Sequence, residues 1–407
     1  MKRPIAISLS PNTEADDVGR ARSALRRPEI QTDGEWPLAV ERKLEEIFPG
    51  HKVALTSSGR QALLRLFKAL NIGSGDEVLL QAFTCSAVPA SIMWAGARPV
   101  YADITPGTYN LDPEDVRRKI KPTTKAIIVQ HTFGIPGPIA ELREIASRHN
   151  LVLIEDCAHC LGQKYQGQPL GTFGDAAILS FGRDKILSSV FGGAVVSKNE
   201  ELIRHIQDQQ RALPFPPRRW VRQQLLHPIL FDVILPTYFM ASLGKVALVA
   251  LQRLGFLSKA LAPEEKRVEK PEHLAWCLSP ALAYLLLHQL DKLDRYTVRR
   301  REIVSRYAER LGGSRESLLR FPLEHPHARH IRQVARRSRM LLGDWYDTPV
   351  APADVEATRF GYVPGSCPAA EAASKNILNL PAYPTLTNDQ VDQVIQFIQD
   401  YDASYEH

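Results

Sequence analysis

Short apolar runs alternate with amphipathic stretches through the first half of this chain of 407 residues. The runs have the length and composition of buried strands, and the stretches between them carry apolar residues at helical spacing. Strands that alternate with helices pair in parallel, so the pattern predicts a parallel sheet covered by helices on both faces. The predicted strands are residues 77–81, 99–103, 125–130, 151–155, 176–180 and 194–197.

Helical stretches precede and connect these strands, and Gly96 is the expected end of one of them. Strands 176–180 and 194–197 are joined by too little chain for a crossover helix, so we expect some antiparallel pairing there. The predicted helices contain Val40, Leu44 and Ile47 or cover residues 61–70, 86–95, 112–120 and 139–149.

Two predicted strands are followed by residues that carry chemistry. Asp156 comes directly after residues 151–155, and Lys185 lies shortly after residues 176–180. Ligands of open α/β sheets gather at the carboxyl ends of strands, where we expect both side chains. Pyridoxal phosphate needs such a pair, because its aldehyde forms a Schiff base with a lysine and its ring nitrogen stays protonated beside a carboxylate. Taken alone, Asp156 would be a helix cap or turn residue and Lys185 a solvated loop residue.

Other polar residues could hold the same cofactor. Ser58, Gly59 and Arg60 precede a helix, whose N-terminal N–H groups and dipole favour a phosphate. Ser180 could add a hydroxyl donor to that phosphate. His159 could hydrogen-bond the carboxylate or the phenolic oxygen of the cofactor. Without the surrounding motifs, the first three residues would be a common turn and His159 a structural histidine.

Cys157 and Cys160 form a C-x-x-C pair, for which a redox or metal role is the alternative to a structural one. No second pair follows it, and we predict no metal site. Five cysteines in so long a chain do not make a disulfide framework, so a reducing cytoplasm is the expected compartment. The N-terminus turns acidic before an apolar segment of signal-peptide length appears, which argues against export.

Residues 205–270 interrupt the pattern with a basic start and an apolar continuation. The uncharged run from Val233 to Leu243 is too short to cross a membrane. A buried helical insertion or a dimer contact would explain it. The alternative is an amphipathic helix within residues 218–258 that makes peripheral contact with the inner face of an acidic membrane. The net charge of +6 suits an anionic ligand or surface, but without zinc-finger spacing or a long basic run we predict no nucleic-acid binding.

One long helix is predicted from residue 280, with leucines at three- and four-residue spacing. The chain closes with a strand, a proline-bounded turn and a terminal helix that Thr387 opens. We therefore expect a large cofactor-binding domain over residues 1–204, a helical insertion over 205–270 and a small C-terminal domain over 271–407.

Several strings point to a known family by their order and spacing. They are TSSGRQAL, GSGDEVLLQAFTC, GARPVYADITPGTYNLDP, TKAIIVQHTFGIP, LIEDCAHCLG, GTFGDAAILSFGRDK, RRREIVSRY and NLPAYPTLT. From about residue 30 to the C-terminus, without 205–270, the chain resembles the DegT/DnrJ/EryC1/StrS family of pyridoxal phosphate-dependent sugar aminotransferases. The resemblance implies fold type I, which is aspartate aminotransferase-like: a large, mostly parallel seven-stranded α/β sheet sandwiched by helices, plus a small C-terminal α/β domain.

The resemblance also implies a role for each candidate residue. Lys185 would bind the cofactor and shuttle a proton, and Asp156 would pair with the ring nitrogen. His159 stands where the family has Gln or His near the phenolic oxygen. The phosphate contacts would come from Ser58, Gly59, Ser180 and Arg60, the last of which stands where the family commonly has Thr.

Two departures from the family pattern affect the site. The aromatic residue that often stacks on the cofactor in the family aligns with Cys85, and either Phe83 or no residue takes its place. The 205–270 insertion replaces a segment that in the family helps to build the neighbouring subunit's site. Residues donated across the expected homodimer are therefore not predicted.

The resulting prediction is an aminotransferase that moves an amino group from glutamate to a nucleotide-linked keto-sugar. The expected setting is surface polysaccharide or glycoconjugate synthesis, and the apolar insertion leaves a lipid-linked ketone open as the acceptor. One alternative is a pyridoxal phosphate-dependent sugar dehydratase, but relatives with that chemistry typically carry His in place of Lys185. Another is a non-catalytic, membrane-associated regulatory protein of the same fold, against which the intact pair of Asp156 and Lys185 argues.

Overall fold

The computed structural model describes residues 4–8, 10–32, 34–239, 243–259 and 261–405. The α-helices of these residues are α1 Ala15–Arg26, α2 Pro28–Thr32, α3 Glu35–Ile47, α4 Gly59–Ala69, α5 Ala87–Ala95, α6 Pro113–Lys119, α7 Ile139–Arg148, α8 Glu200–Arg211, α9 Arg218–Thr237, α10 Leu243–Arg253, α11 Pro280–Leu290, α12 Leu293–Leu311, α13 Ala328–Arg337, α14 Pro368–Asn376 and α15 Asn388–Tyr405. The strands are β1 Ile5–Ala6, β2 Lys52–Thr56, β3 Glu77–Gln81, β4 Thr84–Cys85, β5 Arg98–Ala102, β6 Thr124–Gln130, β7 Val152–Asp156, β8 Lys164–Tyr165, β9 Gln168–Pro169, β10 Ala176–Ser180, β11 Gly193–Ser197, β12 Arg320–Glu324, β13 Met340–Leu341, β14 Val350–Ala351 and β15 Ile377–Pro381.

A seven-stranded sheet in the order β2-β11-β10-β7-β6-β3-β5 forms the centre of the molecule. The neighbours from β10 to β5 pair in parallel, whereas β11 is antiparallel to both β10 and β2. All six predicted strands are present, and the expected antiparallel pairing of the last two is confirmed. The sequence interpretation missed β2. Its apolar run is short and lies directly before a helix, so it shows no alternation of apolar and polar residues that would mark a strand.

Residue alternation gives the sheet two apolar faces. Val78 and Leu80 point into the core beneath α4, α5 and α8, while Leu79 between them points into the core beneath α6 and α7. Under α1, α3 and α11, a third core covers the opposite face at the β2 end of the sheet. Both faces are therefore buried, and the open edge for ligands is the line of strand ends.

Local signals in the sequence set several helix ends. Asp112 caps α6 by accepting the Glu114 N–H at 3.0 Å, and Gly96 ends α5 with a φ of 96° that favours glycine. Thr387 opens α15 as predicted, since its Oγ1 accepts the Gln390 N–H at 3.2 Å. These ends follow from neighbours in sequence rather than from packing.

The predicted long helix from residue 280 is wrong in one respect, because the structure breaks it into α11 and α12 at Asp291 and Lys292. At the break, the Lys292 amine reaches the start of α1. It lies 2.6 Å from the Asp16 carboxylate and 3.0 Å from that of Asp17. The turn between the helices thus ties α1 to the C-terminal half of the chain.

A smaller unit with its own core contains β12 paired with β15, together with α12, α13 and α15. The N-terminal strand β1 joins it through parallel pairing with β13. Residues 5–6 of the expected 1–204 domain therefore pair with a strand of the expected 271–407 domain. The division into three segments stays a prediction.

The insertion expected at 205–270 is helical. The first half of α9 is buried against the large unit through Val221 and Leu225, and its second half packs with α10. Residues 240–242 of the uncharged run from Val233 to Leu243 lie outside the described residues. Among those that are described, no helix has both the length and the apolar character needed to cross a membrane.

Candidate active site

A cavity of about 600 Å³ lies at the carboxyl ends of β7 and β10 and beside the start of α4. Its walls come from distant parts of the chain, which include the strand ends, the start of α4, the segment at Leu261, and residues 344–354. The candidate residues that line it are Ser58, Gly59, Arg60, Cys85, Asp156, His159, Ser180 and Lys185. The sequence-predicted residues are thus brought together, with the exception of Phe83.

Phe83 lies in an aromatic cluster away from the cavity wall. Its side chain is fully buried and stacks on Tyr109 with ring centroids 5.6 Å apart. Phe133 and Tyr346 contact its ring edge to face. The structure does not place Phe83 where it could stack on a ligand in the cavity, whereas Cys85 lines the wall.

Asp156 and Lys185 face the cavity in surroundings that perturb both. Asp156 is buried at the end of β7, and this burial raises the pKa of its carboxyl group. The Ala158 N–H, which donates to Oδ1 at 3.0 Å, lowers the same pKa by a smaller amount. Burial also lowers the pKa of Lys185, although the Cys85 thiol and the Asp156 carboxylate act in the opposite direction. A lysine with a lowered pKa supplies a larger fraction of free amine at neutral pH.

His159 is held as a neutral ring inside a stack. Its imidazole is stacked on Trp345 at 5.3 Å and on Phe133 at 6.3 Å between centroids. Burial, followed by the charges of Lys185 and Arg320, holds the pKa of His159 well below its usual range. The Phe133 N–H donates to Nδ1 at 3.3 Å, so Nε2 carries the ring proton.

Three wall or supporting residues were missed by the sequence interpretation: Trp345, Tyr346 and Arg320. The Lys185 amine lies 5.0 Å from the centroid of the Trp345 ring, and the Arg320 guanidinium lies 3.4 Å from the same centroid. Tyr346 Oη is 3.4 Å from Nε2 of His159. The only signal in the sequence was an aromatic pair, GDWYD, in a segment without helical or strand periodicity.

The turn before α4 has the features of a phosphate cradle. The first N–H groups of a helix have no partners within it, and Gly59 is the first residue of α4. A Cβ on Gly59 would lie 3.0 Å from the Ser180 Cβ, so glycine lets the turn approach the end of β10 without a tight contact. Ser58 caps the helix, with its hydroxyl accepting the Gln61 N–H at 3.2 Å.

Arg60 of this turn is engaged by the insertion. Its guanidinium forms an ion pair with Glu265, whose side chain is buried and also accepts the Ala262 N–H at 2.9 Å. Arg183, two residues before Lys185, donates to the Ser258 carbonyl at 2.6 Å. The insertion therefore closes one side of the cavity, a contribution that the sequence did not predict.

The C-x-x-C pair lies behind the site. His131, Cys157 and Cys160 are buried, with potential ligand atoms within 4.8 Å of one another. However, His131 Nδ1 accepts the Gly137 N–H at 2.9 Å and Nε2 lies 3.0 Å from Glu155 Oε2. A metal ion would have to displace one of these contacts. Burial also raises the pKa of the Cys157 thiol well above its usual range, which disfavours redox reactivity.

The cavity fits pyridoxal phosphate in its donor set. One buried carboxylate and one amine of lowered pKa face a space large enough for a small ring system, and a helix N-terminus lies beside it. Because Gly59 has no Cβ, a phosphate could approach the backbone of this turn closely. These are the groups that such a ring nitrogen, aldehyde and phosphate require.

Comparisons with known proteins identify the family of this chain. The model of the DegT/DnrJ/EryC1/StrS aminotransferase family matches residues 11–214 and 278–399, so its gap covers most of the insertion. An L-glutamine:2-deoxy-scyllo-inosose aminotransferase of Streptomyces kanamyceticus is 38% identical over 190 residues, which is 44% of either chain. The spore coat polysaccharide biosynthesis protein SpsC of Bacillus subtilis is 30% identical over 86% of this chain and 85% of its own.

Among solved structures, PseC of Helicobacter pylori, an aminotransferase involved in the biosynthesis of pseudoaminic acid, has a similar fold. The TM-score is 0.74 at 20% identity, over 98% of this chain and 99% of that one. The predicted fold type I architecture and the predicted family are both confirmed. With the family model matching most of its length, this chain belongs to the DegT/DnrJ/EryC1/StrS aminotransferase family.

Proposed function

We propose that this protein is a pyridoxal phosphate-dependent aminotransferase that transfers an amino group from glutamate to a nucleotide-linked keto-sugar. The observation that carries the proposal is the convergence of Asp156, Lys185 and the α4 turn on one cavity of about 600 Å³. The keto-sugar class is supported by relatives named as an aminotransferase of 2-deoxy-scyllo-inosose and as an aminotransferase involved in the biosynthesis of pseudoaminic acid. The nucleotide link is supported by the net charge of +6, which favours an anionic substrate.

The residues of the chain would divide the chemistry among them. Bound pyridoxal phosphate supplies an electron sink for the carbanion of the amino substrate. Asp156 would hold the ring nitrogen protonated, because a carboxylate in a buried site stabilises the adjacent cation. Lys185 would accept the substrate proton as a free amine and return it to the neighbouring carbon. His159, kept neutral, would present its Nε2 proton toward Tyr346 rather than add a further positive charge.

The wider setting is also a proposal. We place the reaction in surface polysaccharide or glycoconjugate synthesis in the cytoplasm, which the relative named for spore coat polysaccharide biosynthesis supports. A homodimer is expected from the family resemblance, with the cavity completed by the neighbouring subunit. The inosose aminotransferase is named for glutamine, so glutamine is the first donor to compare with glutamate.

The test follows the visible absorbance of the protein with bound pyridoxal phosphate. Wild type should bind it with a coloured band, and Lys185→Ala should lose that band and all turnover because the covalent link to the amine is gone. Lys198→Ala, at an exposed lysine just after β11, is the matched control and should retain both. Glutamate or glutamine should bleach the wild-type band, and a nucleotide-linked keto-sugar should restore it.

Each outcome decides between the alternatives. A colourless wild-type protein would support a non-catalytic role and contradict the proposal. A band that no amino donor bleaches would favour sugar dehydration over amino transfer. Restoration by free but not by nucleotide-linked keto-sugars would overturn the nucleotide link alone.

A further inference from the structure

Helix α10 is apolar on the side that faces solvent as well as on the side that faces the protein. Leu248 and Leu251 pack on α9. On the outer side, Leu243, Val246 and Val249 are exposed, Val246 to 64%. A helix of a soluble protein carries polar residues on its outer face, so this arrangement needs an apolar partner or an apolar medium.

The apolar surface continues past the end of the helix. Leu254 and Phe256 flank the Gly255 turn and are exposed to 67% and 49%. We define the α10 surface by Leu243, Val246, Val249, Leu254 and Phe256. The start of α10 is packed tightly against the end of α9, which holds these residues in place. A Cβ on Gly244 would come within 2.6 Å of the backbone of Tyr238, the residue after α9.

Positive charge surrounds this surface. Between residues 209 and 263 the sequence has seven Lys and Arg residues and one acidic residue, Asp232. Lys245 and Arg253 are exposed on α10 itself. Arg219 reaches the turn from α9, since a Cβ on Gly255 would lie 3.6 Å from its Nη2. An exposed apolar stripe bordered by cations is the composition that binds an anionic bilayer surface.

The α10 surface is also close to the active-site cavity along the chain. Leu261, which lines the cavity, follows Phe256 by five residues, a span of at most about 18 Å. Between them, the Ser258 carbonyl accepts a hydrogen bond from Arg183 next to the cavity. A partner on this surface would therefore lie close to one wall of the site.

We propose that the α10 surface docks on an anionic membrane, with its apolar residues among the lipid headgroups and its cations on lipid phosphates and carboxylates. The gap in the family match covers residues 215–277, so this surface lies outside the residues that the family model matches. Docking would hold the site at the bilayer, where a reaction that transfers the amino sugar to a lipid-anchored acceptor could consume the product. Vesicle binding requires no turnover, so it is tested independently of the proposed reaction.

The test is co-sedimentation of the full-length protein, loaded with pyridoxal phosphate, with phosphatidylcholine vesicles that contain about 30% phosphatidylserine. We expect binding at low salt that falls at least fivefold in vesicles of phosphatidylcholine alone. It should also weaken severalfold at 1 M NaCl, where the screening length falls to about 3 Å. A wild-type protein that stays in the supernatant with both vesicle types would overturn the proposal.

Variants test the surface itself. Val246→Asp with Leu254→Asp should reduce the bound fraction at least tenfold. Val363→Asp, at a valine 65% exposed elsewhere, is the matched control and should bind like wild type. Lys245→Gln with Arg253→Gln keeps the apolar face, so it should weaken binding to anionic vesicles and leave the folded state intact by thermal unfolding.

Two further outcomes would contradict membrane docking. In the first, wild type does not bind vesicles, and light scattering shows that the double aspartate variant is a monomer where wild type is a dimer. A second copy of the chain would then cover the surface. If the control variant loses binding as much as the double variant, the interaction is non-specific and the α10 surface has no special role.

Discussion

At the scale of single residues, burial determines how each candidate group can act. The Lys185 amine is half-buried beside Trp345 and has a lowered pKa, so it can act as a base. Asp156 is buried deeper, and the raised pKa that burial causes would be reversed by a cation at its side. The two groups thus prepare the cavity for a ligand with one cationic nitrogen and one electrophilic carbon.

Asp156→Asn should separate binding from catalysis. The amide fills the same space, so pyridoxal phosphate should still attach to Lys185 and show its visible band. Without the negative charge, the ring nitrogen loses its partner, and bleaching of the band by glutamate should slow about 10²–10³-fold. Stopped-flow absorbance measures that rate.

Asp208→Asn, at an exposed aspartate on α8, is the control and should react at the wild-type rate. If Asp156→Asn also reacts at that rate, the carboxylate does not hold the ring proton and the assignment of Asp156 fails.

At the scale of secondary structure elements, a buried hydrogen-bonded pair joins the ends of β6 and β7 behind the site. His131 Nε2 lies 3.0 Å from Glu155, which also accepts N–H bonds from Gly171, Phe173 and Gly174 at 2.7–2.8 Å. His131 Nδ1 accepts the Gly137 N–H, so the ring is neutral and its Nε2–H donates to Glu155. Burial would raise the pKa of Glu155, and His131 reverses that effect and lowers it.

The pair predicts how stability depends on pH. The lowered pKa of Glu155 contributes stability above 4.5 that is lost as pH falls. Urea unfolding should show wild type losing about 1.5–3 kcal/mol more than Glu155→Gln as pH falls from 7 to 3.

The exposed Glu200→Gln variant is the control for the pH series and should follow wild type. Parallel curves for wild type and Glu155→Gln would show that the hydrogen bonds to the Glu155 carboxylate do not lower its pKa in the folded protein.

At the scale of the whole molecule, the cavity exists only when distant segments are packed together. The strand ends, Leu261 and residues 344–354 all line it, and Arg320 reaches Trp345 from the smaller unit. A ligand of this cavity therefore binds the folded chain and not the unfolded one. Such a ligand shifts the unfolding equilibrium of the entire molecule by mass action.

Pyridoxal phosphate at about 100 times its Kd should raise the free energy of unfolding by about 2.7 kcal/mol. Thermal unfolding should show a higher Tm that depends on cofactor concentration. Pyridoxal at the same concentration lacks the phosphate that the α4 turn would bind, so its shift should be smaller. Equal shifts for the two compounds would contradict a phosphate site at Ser58, Gly59 and Ser180.

The sequence by itself determined the features that depend on near neighbours. Strand and helix positions follow from hydrophobic period, and the ends at Gly96, Asp112 and Thr387 follow from capping chemistry. The meeting of Asp156 and Lys185 was predictable because parallel strands bring their carboxyl ends to one edge. Family strings added the fold type and the cofactor.

Only the tertiary structure decided which other side chains reach the site. Trp345 and Arg320 stand more than 130 residues beyond Lys185, and Glu265 meets Arg60 across 205 residues of chain. Phe83 was expected in the cavity but packs into an aromatic core, because the turn after β3 directs it inward. Contacts of this kind depend on how packed elements are placed, and no local period or cap in the sequence encodes that placement.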